Sequence, residues 1–301
     1  MEERVATERG LREIVGADLR IDEPMSRHTT IGVGGPARYL AIPGSASQVV
    51  ALVKFAGATG LEYMVLGKGS NLVVRDGGYD GLVIKVGSQI SRVRLNRETV
   101  SAEGGAVLSR LARRMTDGGR TGLEFAVGIP GTVGGAVVMN AGAWGGEIAN
   151  VLERVKLVDE RGSEKTLERQ DIRFGYRKSS IPPGSVVLSA TFRCPPGKID
   201  EGTYRKSLGR KESQPISERT FGSTFVNPPN DYAARLIEAC GLKGARRGGA
   251  MVSPQHANFI VNVEGNATAK DVEDLMDLVR SEVQKKHGVV LEPEVIVIGH
   301  R

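Results

Sequence analysis

Between Gly122 and Gly146 the chain runs GLEFAVGIPGTVGGAVVMNAGAWGG, eight glycines in 25 residues with almost no charge. A flexible linker of such glycine content is padded with Ser, Lys or Glu. Here the glycines alternate instead with Phe125, Val127, Ile129, Val133, Val137, Val138 and Met139, residues that require burial. That combination specifies an ordered path with unusual dihedrals, along which backbone N–H groups approach another group closely. Gly128, Pro130, Gly131, Gly134 and Gly135 shape the path, Gly142 extends it, and Thr132 and Asn140 add polar contacts. Successive main-chain amides bind phosphate well. The plainer alternative is a tightly turned structural loop.

A chain of 301 residues allows two or three domains and a large core. Hydrophobic content of 40% with 25% charge is that of a globular protein. The net charge of +6 comes from bases mostly interspersed with acids, which suits anionic small molecules better than a nucleic-acid stripe. Two distant cysteines, Cys194 and Cys240, argue against a disulfide framework and for a reducing compartment. A charged N-terminus without an apolar signal region, and the lack of any ~18-residue apolar window, point to the cytoplasm and away from a membrane. Four dispersed histidines (28, 256, 287 and 300) give no metal-ligand spacing.

Along the chain, Arg4 to Val15 predicts a short charged helix, followed by a turn at Pro24. The turn Gly32-Val33-Gly34-Gly35-Pro36-Ala37 has the letters of a dinucleotide fingerprint but lacks the buried strand before it and the helix after it. It remains a backbone-exposing turn able to face a cofactor. Apolar spacing predicts helices over Ser45–Gly60, Val107–Gly118, Asp231–Cys240 and Thr268–Lys286, the last opened by a capping box of Thr268 and Asp271. Glu201–Glu212 suggests one basic helix, and Pro215–Pro229 a loop. Between strands Leu61–Leu66 and Leu72–Val74 lies Gly67-Lys68-Gly69-Ser70-Asn71, either a hairpin turn or a diphosphate cradle, with the hairpin favoured by its own composition. It is no Walker loop, because no helix follows. Val289–Ile298 closes the chain as a strand carrying Glu292 and Glu294. Composition suggests boundaries near 86 and 200.

Three stretches together carry a resemblance: Leu66 to Asn71, Gly128 to Ala143, and Leu291-Glu292-Pro293-Glu294-Val295. They closely resemble the UDP-N-acetylenolpyruvoylglucosamine reductases, and Phe174-Gly175-Tyr176-Arg177 and Gly222-Ser223-Thr224-Phe225 fit that family in order and spacing. The resemblance covers about Thr29 to Gly299. It implies an α+β chain with a vanillyl-alcohol-oxidase-type FAD-binding fold of two subdomains, residues 1–86 and 87–200, and a substrate-binding C-terminal domain, residues 201–301. The short connection from Arg177 to Val186 is similar to that of the subclass lacking a tyrosine lid. Two departures from the pattern are Val226, where many members carry Lys, and His256, where some carry Gln.

The implied reaction is NADPH-dependent, FAD-mediated reduction of an enolpyruvyl ether on a UDP-sugar. Hydride addition at the vinyl terminus drives charge onto C2 and its carboxylate, which demands a cation and a proton donor. Arg177 suits the first, since a guanidinium matches a carboxylate bidentately. Ser223 suits the second, a positioned O–H whose alkoxide is restrained by neighbours. The resemblance implies that Glu294 helps stabilise the enol. Noncovalent FAD is expected against Leu66, Gly67, Lys68, Gly69, Ser70 and Asn71, against the glycine-rich stretch, and near Gly32, Gly34 and Gly35. Tyr176, Arg210, Asn227 and His256 are expected on the sugar nucleotide. No protein partner is required. Competing readings are another flavin oxidase or dehydrogenase of the same fold, and a non-catalytic flavin- or nucleotide-binding module. The second would show a clustered basic face with stacking aromatics.

Overall fold

A computed structural model describes residues 2–301, apart from the side chain of residue 211. The chain folds as two compact units, each drawn from separated stretches. The first comprises residues 1–22, 39–68 and 81–208, and the second residues 23–38, 69–80 and 209–301.

In the first unit, an antiparallel sheet runs in the order Glu164–Glu168, Leu152–Val158, Val186–Arg193, Thr99–Glu103, Val93–Leu95. Its alternating residues put Val155, Leu157, Ala190, Phe192, Val100 and Ala102 into a core shared with the helices Leu108–Asp117 and Val133–Val138. A smaller sheet, in the order Leu19–Pro24, Pro36–Ala41, Tyr79–Lys85, Tyr63–Leu66, packs with the helices Glu2–Val15 and Ala46–Thr59. The second of these helices begins at the Ser45 cap and ends at left-handed Gly60.

Within the second unit, strands Thr220–Ser223, Phe259–Asn262, Ala250–Val252 and Arg246–Arg247 form an antiparallel sheet in that order. The helix Ala269–His287 carries the expected capping box at Thr268 and a left-handed Gly288 stop. It buries Val272, Leu275, Met276, Val279 and Val283, worth about 1.5–3 kcal/mol each in transfer terms. Leu72–Val74 pairs in parallel with Ile296–Ile298.

Four expectations change. Tyr63–Leu66 pairs with Tyr79–Lys85, whereas Leu72–Val74 pairs with the C-terminal strand, so residues 67–71 are no hairpin turn. The basic helix breaks at Gly209 into Glu201–Leu208 and Arg210–Ser213. Thr220–Ser223, read as loop, is a strand because its neighbour Phe259–Asn262 supplies the pairing that its own composition does not announce. The terminal strand is only Ile296–Ile298, since Pro293 has no N–H to continue a ladder. Among the described residues no helix is long and apolar enough to cross a membrane.

Candidate active site

In the first unit the glycine-rich stretch is ordered and mostly buried or half-buried, although Pro130, Gly135 and, against expectation, Val138 are exposed. A 3₁₀ turn over Glu124–Ala126 leads to Gly131, whose φ of 126° is open to glycine alone. Thr132 then caps the helix Val133–Val138, its hydroxyl accepting from Gly135 N at 3.4 Å. Gly134 and Gly135 lie inside this helix, not at left-handed positions. A Cβ on Gly134 would sit 3.2 Å from Gly104 O, so what its missing side chain permits is close packing. Val133 N and Gly134 N donate at 2.8 Å to Ala106 O and Gly104 O. The expected run of bare amides is therefore already occupied at the helix start.

Gly67 meets this stretch directly. A Cβ there would fall 2.4 Å from Thr132 Oγ1, so the Leu66-Gly67-Lys68 turn lies against the helix cap with no room for a side chain. Two motifs 60 residues apart thus share one glycine-lined cradle, with Lys68 exposed beside it. A group whose phosphates need close main-chain approach fits such a cradle.

Phe174-Gly175-Tyr176-Arg177-Lys178-Ser179 is a hairpin with Tyr176 and Arg177 at its tip. Arg177 holds φ at 55°, and its guanidinium carbon lies 4.8 Å from the Tyr176 ring centroid, a cation–π contact. A positive φ on a non-glycine residue costs of order 1–3 kcal/mol and persists where surroundings enforce it. Here the enforcement is visible: Asn140 Nδ2 donates to Gly175 O at 3.1 Å, and Ser179 Oγ to Val138 O at 2.8 Å. Asn140 is fully buried, and its Oδ1 accepts from Ala149 N at 3.0 Å. Both ends of this side chain hold backbone, so Asn140 braces the Arg177 hairpin. Trp144 stands 44% exposed at the tip of the neighbouring hairpin, Gly142–Ala143 with Gly146–Glu147.

The second unit brings four stretches together. Left-handed Gly69 would press a Cβ to 2.1 Å from His28 O, and Thr30 N donates to Gly69 O at 3.0 Å. Gly32 and Gly34 take φ of 73° and 136°, and a Cβ on Gly35 would lie 2.1 Å from Asp76 O. The Thr30 hydroxyl reaches Thr220 O at 2.6 Å, tying this turn to the strand that ends in Ser223. Gly222, at φ 89°, marks a bulge between Thr220 and Ser223. Bulges re-aim a side chain, and Ser223 is the one re-aimed.

Glu294 reaches the same place by another route. Its N–H donates to Thr224 O at 2.9 Å, Phe225 bridges Pro293, and Val226 N donates to Glu292 O at 2.9 Å. Asn71 Nδ2 donates to Glu294 O at 3.1 Å. Glu294 is half-buried beside the Ser223 segment, while Glu292 is exposed. The isolated bridge of Phe225 with Pro293 separates the two carboxylates.

Three further residues hold the region and carry no signal in local sequence. Asn258, 4% exposed, donates through Nδ2 to Phe225 O at 2.8 Å and accepts at Oδ1 from Phe225 N at 2.9 Å. Asn262 donates to Ile31 O at 3.0 Å. Asp76 accepts from Ala269 N and Lys270 N, both at 2.9 Å. Only the chance to notice buried-looking amides inside apolar strands could have flagged the first two.

Of the residues expected on the sugar nucleotide, Asn227 uses Oδ1 to accept from Ala233 N at 3.0 Å, opening the helix Ala233–Ala239. His256 is half-buried, its Nδ1 3.2 Å from Asn258 N and its ring edge-on to Phe259 at 4.8 Å. Burial, then the nearby Lys243 and Arg210, push its pKa down, so the imidazole is held neutral. Arg210 is half-buried and bonded to Gln214. The two cysteines are free, and burial pushes the Cys194 thiol up to about 11, leaving it inert. Among the described residues no group of His, Cys, Asp and Glu side chains is placed to hold a metal.

Comparison with known proteins places the chain in a family. Residues 214–298 match the family profile of the UDP-N-acetylenolpyruvoylglucosamine reductase C-terminal domain, and residues 37–168 that of an FAD binding domain. A UDP-N-acetylenolpyruvoylglucosamine reductase of Streptococcus thermophilus is 44% identical over 293 residues, 96% of each chain. That of Caldicellulosiruptor bescii is 42% identical over 294 residues, 94% of this chain and 92% of its own. The crystal structure of the Thermus caldophilus reductase superposes with a TM-score of 0.80 at 36% identity, covering 93% of this chain and 99% of that one. The chain belongs to the UDP-N-acetylenolpyruvoylglucosamine reductase family of FAD-dependent oxidoreductases.

Proposed function

We propose that this protein reduces the enolpyruvyl ether of UDP-N-acetylglucosamine to UDP-N-acetylmuramate in the cytoplasm, with NADPH as hydride donor and noncovalent FAD as relay. Bound FAD supplies the hydride that reaches the vinyl C3. Residues 1–86 and 87–200 are assigned to the flavin, with the turns 66–71 and 128–132 on its diphosphate, and residues 201–301 to the sugar nucleotide. Because the helix after Thr132 has its first amides occupied, the phosphate contacts are assigned to the turn before it.

Arg177 binds the substrate carboxylate. Its stacking on Tyr176 and its enforced backbone reduce the freedom that a guanidinium loses on forming a two-point contact. As charge builds on C2 and the carboxylate, this contact strengthens, which is the condition for catalysis over mere binding. Ser223 delivers a proton to C2. Glu294 stabilises the enol form by hydrogen bonding. The neutral His256, with Arg210 and Lys243 near it, meets the anionic nucleotide through hydrogen bonding without adding a full charge.

The observation that carries this reading is the Glu294 N to Thr224 O bond, which sets Glu294 beside the segment of Ser223, 71 positions earlier in the chain. Stopped-flow on Ser223→Ala tests it. Flavin reduction by NADPH persists, while turnover of the enolpyruvyl substrate falls by ~10²–10⁴, the weight of a general acid. Equal loss in both half-reactions removes Ser223 from the proton-donor role.

A further inference from the structure

The first unit has a second concave site, away from every residue assigned above. An open cavity of about 620 Å³ lies on the solvent-facing side of the five-stranded sheet. That volume is within the range of small-molecule sites. Antiparallel register sets its floor: Arg94 lies opposite Ser101, Ser101 opposite Thr191, and Thr191 opposite Arg154. The two hydroxyls in the middle bond each other at 2.6 Å. Two arginines therefore stand three strand spacings apart, about 14 Å, across a hydroxyl floor. Arg92 and Lys156 line the same cavity.

The charges here are not balanced as they are elsewhere. Exposed arginines in this protein commonly face carboxylates, as in Arg12 with Glu8, Arg235 with Asp231 and Arg4 with Asp22. Among the described residues, Arg92, Arg94 and Arg154 form no ion pair through their guanidinium groups. Glu103, the one acid lining the cavity, accepts from Arg92 N at 2.8 Å, and Lys156 is paired with Glu164. Glu168, the register partner of Arg154, caps the turn that follows it. A merely solvated sheet face mixes its signs; like charges gathered in a concavity cost free energy until an anion joins them.

We propose that this cavity binds a small molecule carrying two or more phosphate or carboxylate groups, gripped at its ends by Arg94 and Arg154 with Ser101 and Thr191 beneath. Guanidinium forks suit either anion.

Titration calorimetry of the FAD-loaded enzyme with inorganic tripolyphosphate at fixed ionic strength tests this, with citrate in parallel to separate phosphate from carboxylate recognition. We expect one equivalent of at least one probe to bind, and Arg94→Ser/Arg154→Ser to weaken it about tenfold or more. Arg177→Lys leaves that binding unchanged, which separates this cavity from the catalytic residues. Retained flavin and an unaltered circular dichroism spectrum certify that the double variant is folded; if it is not, the two single variants are compared. Failure of both probes to bind, or binding undiminished by loss of the arginines, overturns the proposal.

Discussion

The glycine-rich stretch of the first unit and the Ser223–Glu294 region of the second reach their shapes by opposite means. In the first, missing side chains let neighbouring segments approach closely: Gly67 against the Thr132 side chain, Gly134 against the Gly104 carbonyl. In the second, buried polar side chains tie distant segments together: Asn71 to Glu294, Asn258 to Phe225, Asn262 to Ile31. A surface that reads phosphate through main-chain amides needs the absence of Cβ atoms. A surface that delivers a proton needs one hydroxyl held in place, and holding is done by hydrogen bonds. The first design fails through added volume and the second through a lost bond.

The largest effect is expected where chemistry meets strain. Arg177→Lys should lower kcat/KM for the enolpyruvyl substrate by ~10²–10³, because a point charge cannot reproduce the fork, while FAD content stays normal. Near-normal activity in steady-state assays would take Arg177 out of the site. Next, Asn258→Ala leaves the buried N–H and C=O of Phe225 without their partner and should destabilise the fold by about 2–4 kcal/mol. Denaturant melts check this, and a change below about 0.5 kcal/mol would show that the amide clamp does not hold the second region.

A smaller loss tests the first region. Gly67→Ala should weaken FAD binding by about tenfold to a hundredfold, matching 1–3 kcal/mol of overpacking, because the new methyl overlaps Thr132 Oγ1. Adding Thr132→Ala removes the overlapped atom, so the double variant should recover part of the affinity lost by Gly67→Ala. If the losses simply add, the two turns are not packed as described. The smallest effect concerns His256. Its pKa lies below the ordinary 6.5 in the folded protein, so the unfolded chain binds the extra proton first as pH falls. Stability from this group is complete above about pH 6.5 and is lost on going down through the folded value. His256→Gln should therefore flatten the acid side of the melting curve, by roughly 1–2 °C in Tm; identical profiles would refute the assignment.

Much of the fold was legible because its signals are local. The helix Ala269–His287 announced its start with Thr268 and Asp271, its face with period-3.6 apolar residues and its end with Gly288. The resemblance carried by Leu66–Asn71 and Gly128–Ala143 implied a flavin site along both stretches, and the structure packs the two against each other at Gly67 and Thr132. Other expectations missed. Residues 67–71 resemble a hairpin turn in composition, yet their flanking strands join different sheets. Thr220–Ser223 looked like loop because four residues with a glycine bulge carry too little pattern to mark a strand. Gly134 and Gly135 suggested free dihedrals, but the Thr132 cap and two carbonyl acceptors draw them into a helix.

By itself, then, the sequence determined where helices begin and end, which faces are apolar, and which motif family the chain carries. The first two depend on residues within a turn or two of one another, and the third on short motifs in a fixed order along the chain. Only the tertiary structure decided that Asn71 would meet Glu294, 223 positions away, that Thr30 would hold Thr220, and that Asn140 would brace the Arg177 hairpin. Such bonds are worth about 1 kcal/mol each and form between groups that could satisfy many other partners or water. Their selection comes from packing of the whole unit, which no short window of residues contains.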